Sequence, residues 1–164
     1  KMKKSISLIG MAGAGKSSIG KKLANYLKFD LIDSDQLIET NQNKSLQEVL
    51  VEHGIQEFKK IEEAAILSVE FDQTILATGG SVIFSKKAMN YIKSNSSVIY
   101  LEVPFEDIMN RIRDFSNRGF IKEADQTMMH AFNEREVIYR EFADHIVTNN
   151  EGLESCFNKI LRII

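Results

Sequence analysis

Along the chain, short apolar runs alternate with longer stretches in which apolar residues recur every three or four positions. The first run, Ile6, Leu8 and Ile9, reads as a buried parallel strand that breaks into the glycine-rich turn Gly10 to Gly15. Ile19, Leu23 and Leu27 then repeat every four residues, which predicts an amphipathic helix directly after the turn. Phe29 to Ile32 is a second strand, ending in Asp33-Ser34-Asp35. Ser45 and Glu48 form a capping box that starts a helix over Leu46, Val49 and Leu50. Gly54 interrupts it, and a further helix runs from about Ile55 to Ser68.

Ile75-Leu76-Ala77 forms a third strand, broken by Thr78-Gly79-Gly80-Ser81 and followed by a helical stretch over Lys86 to Lys93 and a fourth strand, Val98 to Leu101. Pro104 suits the first turn of the next helix, through Ile108 and Ile112. Residues 114–125 are polar, have no clean period and read as a mobile surface loop with Phe120 and Ile121 at its centre. A helix from about Thr127 to Phe142, a fifth strand at His145 to Val147 and a final helix complete the order. The final helix carries Leu153, Phe157, Ile160, Leu161 and Ile164 as a face expected to close the core. Strands alternating with helices predict an α/β layered fold with a mostly parallel sheet, and no repeat or linker divides it.

A length of 164 residues with 43% hydrophobic content supports one core and a single domain, 1–164. A net charge of −2 gives no reason to expect nucleic acid or a membrane surface as a partner, and no apolar run is long enough to cross a bilayer. Lys1 ahead of Met2 reads as an added residue. The opening Lys-Met-Lys-Lys-Ser leads into the first strand rather than into a signal-peptide core, which predicts a cytoplasmic protein. The single cysteine, Cys156, excludes an internal disulfide and is expected to pack in the last helix. His53, His130 and His145 show no metal-ligand spacing.

The chemistry begins at the first turn. Gly10, four residues, then Gly15, Lys16 and Ser17 match the spacing in which backbone N–H groups surround a phosphate chain. Lys16 would reach the β- and γ-phosphates, Ser17 would ligate Mg²⁺, and the helix N-terminus adds positive potential. Asp33 and Asp35 stand just past the carboxyl end of a strand, where ligands bind in open α/β sheets. One can serve a metal and the other can accept a proton from an attacking hydroxyl; Asp is also favoured as a turn or helix cap. Met128, Phe132, Arg135, Tyr139 and Phe142 share one helical stripe, so Arg135 either snorkels or meets an anionic ligand. Lys59 and Glu62 share a semi-apolar face with Ile55 and Ile66, a spacing that also suits an intrahelical ion pair. Thr78-Gly79-Gly80 lets a ligand approach the backbone closely. Arg118 in the polar loop is placed to swing over a γ-phosphate, or is simply solvated.

Together, Gly10 to Ser18, Asp33-Ser34-Asp35, Phe58-Lys59-Lys60-Ile61-Glu62, Thr78-Gly79-Gly80, Arg118, and Arg135 four residues before Tyr139 resemble the shikimate kinase family over nearly the whole chain. The resemblance implies a three-layer α/β sandwich of the P-loop kinase type. Its five-stranded parallel sheet would carry helices on both faces, with a mobile lid at 114–125 and a shikimate-binding subdomain at 34–62. It implies transfer of the γ-phosphate of ATP to the 3-hydroxyl of shikimate, within aromatic amino-acid biosynthesis, by a monomer that uses Mg²⁺. In that scheme Gly13, Ala14, Gly15, Lys16, Ser17 and Ser18 hold ATP, Arg111 packs on adenine and Arg118 binds its phosphates. Ser17 and Asp33 hold the metal, and Lys16, Asp35 and Arg118 act in the chemistry. Asp35, Lys59, Glu62, Gly79, Gly80 and Arg135 contact shikimate, with Arg135 on its carboxylate.

Three positions depart from the family pattern. Lys59 stands where arginine is expected, keeping the charge but losing the bidentate fork. Ser81 replaces a third glycine, and Arg118-Gly119-Phe120-Ile121 replaces Arg-Pro-Leu-Leu, which predicts a more flexible lid. The alternatives are another P-loop kinase, such as one acting on gluconate, or a nucleotide-binding regulatory module. An Asn-Lys-x-Asp guanine signature is missing, and Thr148-Asn149-Asn150-Glu151 is a poor substitute.

Overall fold

A computed structural model describes residues 4–113 and 126–164. The loop expected over 114–125, with Arg118 and the lid assignment, lies outside the described residues. Five parallel strands form one sheet in the order β2-β3-β1-β4-β5. They are β1 (Ile6–Ile9), β2 (Asp30–Asp33), β3 (Thr74–Ala77), β4 (Ser97–Glu102) and β5 (His145–Thr148). β1 lies at the centre, with Ile6 opposite Ile75 of β3 on one side and Ser97 of β4 on the other. That position explains its uninterrupted apolar run, since both faces of a central parallel strand are covered.

Helix α1 (Lys16–Leu27) carries the chain from β1 outward to the edge strand β2, and every later crossover runs back the other way. With right-handed connections this divides the helices between two faces. α1 pairs with the last helix, α7 (Leu153–Leu161), while α3 (Leu46–Leu67) packs on α4 (Lys86–Asn95) and α6 (Met128–Phe142) lies over β4. The three-layer α/β sandwich is therefore the observed architecture. Among the described residues no helix is long and apolar enough to cross a membrane.

Local chemistry accounts for the boundaries. Ser45 and Glu48 make the reciprocal bonds of a capping box at the start of α3, and Gly54, at φ 80° and ψ 169°, breaks that helix into two segments. Pro104 stands just before α5 (Phe105–Arg113), its carbonyl accepting the Ile108 N–H. Two elements were not anticipated: helix α2 (Ser34–Gln42), which starts directly from β2, and a short 3₁₀ turn at Val82–Phe84.

The apolar face of α7 is narrower than expected. Phe157 and Ile160 are buried, but Leu153 and Ile164 are exposed at the two ends of the segment. Leu31, on the edge strand β2, is also exposed. Cys156 is buried as expected.

Candidate active site

The carboxyl ends of β1, β2 and β3 meet at one place, as open parallel sheets require of a ligand site. The turn after β1 enters α1 through Gly15, at φ 95°, a left-handed conformation that disfavours a side chain. Having no side chain, Gly15 leaves the first-turn N–H groups of α1 unoccupied by a cap, the arrangement that accepts an anion. Ser17 and Ser18 are exposed in that first turn. Lys16 is buried, and its Nζ donates to the carbonyls of Gly10 and, at 2.9 Å, Met11. Burial lowers its pKa to about 8, opposed by the nearby charges of Asp35, Asp33 and Glu62.

The outer side of the turn is tied down from β5 and α5. Asn149, at the end of β5, donates through Nδ2 to the Ala14 carbonyl at 2.7 Å. Arg111 donates to the Gly13 carbonyl at 2.9 Å and to the Asn149 carbonyl at 2.8 Å. Arg111 therefore borders the phosphate turn.

Asp33 holds two positions together. Its Oδ1 accepts the backbone N–H groups of Asp35 and Gln36 and caps α2, while its Oδ2 accepts from Ser17 Oγ at 2.6 Å. The capping and metal-side readings of this residue are thus both compatible with one geometry. Asp35 follows in the first turn of α2.

Opposite them, the Gly79-Gly80 turn at the end of β3 is the common wall. Ser34 Oγ accepts the Gly79 N–H at 3.0 Å, and Thr78 Oγ1 donates to the Leu8 carbonyl at 2.9 Å, fixing the turn against its neighbours. A Cβ at Gly79 would lie 2.5 Å from Glu62 Oε2 and 2.6 Å from Asp35 Oδ1, so glycine there lets two carboxylates converge on the backbone. A Cβ at Gly80 would lie 3.3 Å from the Ala12 nitrogen of the phosphate turn and 3.7 Å from Arg135 Nη1.

Glu62 is 2% exposed, and its Oε1 accepts from Ser81 Oγ at 2.7 Å. Burial raises its pKa to about 7, the Asp35 charge adds to the rise, and the Ser81 bond opposes it. Arg135 is buried within the α6 stripe, where desolvation lowers its pKa. Lys59 Nζ lies over the Phe84 ring at 4.7 Å from its centroid. The intrahelical Lys59–Glu62 pair allowed by spacing is not among the salt bridges of the described residues, because Glu62 turns to Ser81 and Lys59 to Phe84.

A sequence model of the shikimate kinase family matches residues 12–164. A shikimate kinase from Clostridium botulinum is 35% identical over 164 residues, covering 99% of this chain and 98% of its own length. The chain belongs to the shikimate kinase family. The solved structure of shikimate kinase from Acinetobacter baumannii in complex with shikimate superposes with a TM-score of 0.88 at 28% identity, covering 97% of this chain and 91% of that one. A gluconokinase from Sinorhizobium meliloti, at 14% identity and a TM-score of 0.58, shares the fold alone.

Shikimate kinases are ATP-dependent enzymes of aromatic biosynthesis that use Mg²⁺, and this chain is one of them. The residues present fit that ion. Ser17 Oγ and Asp33 Oδ2 are hard oxygen donors side by side at the mouth of the phosphate turn. Among the described residues no group of three or more His, Cys, Asp or Glu is arranged to hold a metal.

Four side chains of this cluster were not assigned a role from sequence. They are Ser34, Ser81, Phe84 and Tyr139, whose hydroxyl reaches the carbonyls of Gly80 at 2.5 Å and Gly10 at 3.0 Å. Tyr139 had a visible signal in its place on the buried stripe of α6. Phe84 had none.

Proposed function

We propose that this chain transfers the γ-phosphate of ATP to the 3-hydroxyl of shikimate, giving shikimate 3-phosphate, with its two substrates on opposite sides of the Gly79-Gly80 turn. The supporting observation is the narrowness of that wall: Asp35 and Glu62 crowd Gly79, while Ala12 of the phosphate turn and Arg135 border the next residue, Gly80.

On the nucleotide side, the amides of Gly13, Ala14, Gly15, Lys16, Ser17 and Ser18 cradle the phosphates. Lys16 leaves the Gly10 and Met11 carbonyls to pair with the β- and γ-phosphates. Arg111 borders adenine from outside the turn. Ser17 and Asp33 would hold Mg²⁺, which when bound would neutralise charge on the phosphate oxygens. Arg118, outside the described residues, binds the ATP phosphates.

On the acceptor side, Asp35 accepts the proton of the attacking hydroxyl and Glu62 accepts from a ring hydroxyl. Gly79 and Gly80 let the ring approach the backbone, and Lys59 and Arg135 pair with its carboxylate. Residues 34–62, from α2 into α3, form the acceptor-binding segment. All these groups lie on one chain, so a monomer suffices. The cytoplasm, where ATP is supplied, is the compartment the reaction calls for.

A coupled assay of ATP consumption against shikimate, gluconate and nucleoside monophosphates tests the reading. Turnover with shikimate is expected; turnover with gluconate or a nucleotide in its place overturns it.

A further inference from the structure

We infer that Phe84 is a positioning residue for acceptor recognition. Its ring is the shared surface on which Lys59 and Arg135 are held ready for the acceptor's carboxylate. The inference rests on the proposed roles of those two cations.

The geometry is specific. Lys59 Nζ lies 4.7 Å and Arg135 Cζ 5.4 Å from the centroid of the same Phe84 ring, both inside the distance at which a cation is drawn to an aromatic face. The cations come from different helices, α3 and α6, and the ring from a third segment between β3 and α4.

That segment is rigid enough to act as a platform. Phe84 ends a 3₁₀ turn whose other members, Val82 and Ile83, are buried. Its N–H donates to the Ser81 carbonyl at 3.1 Å, and Ser85, next in the chain, caps α4 by accepting the Ala88 N–H at 3.0 Å. The backbone that carries the ring is therefore held on both sides.

A physical need for such a platform exists in this chain. Lysine at position 59 is a point charge on a flexible stem, without the preorganised fork of an arginine. A ring whose face is negative attracts both cations and restricts the lysine stem, so less ordering remains to be done on binding. The ring donates nothing to the reacting atoms. Its effect belongs in acceptor binding and not in the chemical step.

The test compares Phe84→Leu, which keeps apolar bulk but removes the π face, with Phe84→Tyr, which keeps it. Phe84→Leu should raise the KM for shikimate roughly tenfold, the scale of two partly desolvated cation–π contacts, with kcat and the KM for ATP held within about twofold. Phe84→Tyr should stay near the wild type. A KM for shikimate unmoved in Phe84→Leu overturns the inference, as does an equal loss in the KM for ATP and kcat, which would mark a general packing role.

Fluorinated phenylalanines at position 84 guard against a variant that fails to fold, because they keep the ring's shape while draining its negative face. A KM for shikimate that climbs with each added fluorine supports the platform; a flat series overturns it. Lys59→Met separates the two layers of argument. If it leaves the KM for shikimate unchanged, the carboxylate-binding role itself fails; if it raises KM while the Phe84 series is flat, only the platform fails.

Discussion

The hydroxyl of Ser81 donates to Oε1 of Glu62 at 2.7 Å, a bond that the glycine expected at this position could not make. Ser81 sits at φ −101° and ψ 4°, outside the left-handed region that favours glycine, so the departure from the family pattern imposes no left-handed strain. Its effect is electrostatic. Burial pushes the Glu62 pKa up to about 7 and the Ser81 bond pulls the other way. Ser81→Gly should therefore raise it further, and the acid limb of kcat/KM for shikimate should move to higher pH by up to about one unit. A pH–rate profile of the variant checks this, and an unmoved limb would separate Glu62 from acceptor binding.

Glu62 also links stability to pH. Its folded pKa, about 7, is raised above the ordinary value of 4.5, so the folded chain keeps a proton that the unfolded chain releases in that window. The stabilisation is fully present below the lower value and is lost as pH rises through the upper one. Glu62→Gln should remove this dependence, flattening the fall in unfolding free energy between about pH 4.5 and 7 by up to roughly 3 kcal/mol. Denaturant titrations of both proteins across the range measure it; parallel curves would contradict the raised pKa.

At Gly79 a single methyl group should act directly on the acceptor side of the site. Its Cβ would fall 2.5 Å from Glu62 and 2.6 Å from Asp35, closer than packed atoms approach, so both carboxylates must move. Gly79→Ala should lower kcat/KM for shikimate by about 10²-fold, the usual result of displacing a catalytic group by an ångström. Affinity for a nucleotide analogue should hold, because the phosphate turn lies beyond Gly80. Equal losses on both substrates would show that the wall transmits the strain.

Asp35→Asn keeps the shape and removes the base. A kcat reduced by about 10²- to 10⁴-fold with an unchanged KM for ATP is expected from steady-state kinetics. An unaltered kcat would take Asp35 out of the chemistry.

What could be read from sequence follows the range of the interaction involved. The phosphate turn is written in eight consecutive residues, and Arg135 announces itself because helix geometry alone puts it on a buried stripe with Phe132 and Tyr139. Gly54 breaks α3 where a glycine should. Helix α2 was hidden because Asp33-Ser34-Asp35 serves as strand end, cap and site at once, and Ile38 is its only buried apolar residue. The exposed Leu31 reflects an edge position in the sheet that one strand's pattern does not reveal. Ser81 on Glu62 and Phe84 under Lys59 and Arg135 join segments distant in sequence, and no local period encodes such meetings.

Tyr139 joins the two halves of the site through one hydroxyl. It reaches the Gly80 carbonyl of the acceptor wall at 2.5 Å and the Gly10 carbonyl of the phosphate turn at 3.0 Å, and its ring stacks on Tyr100 of β4 at 5.0 Å. A single hydrogen serves both carbonyls, and Lys16 also donates to that of Gly10. When Lys16 turns to ATP phosphates, Tyr139 becomes the remaining side-chain donor described for Gly10, so nucleotide binding should draw its hydroxyl from Gly80 toward the phosphate turn. Tyr139→Phe keeps the stacked ring and deletes the link, at a cost of about 1–2 kcal/mol in stability. The expected functional signature is a loss of coupling: the factor by which ADP and Mg²⁺ change the shikimate Kd in calorimetry should fall toward one. A coupling factor equal to that of the wild type would mean that the hydroxyl holds the loops in place without passing occupancy between them.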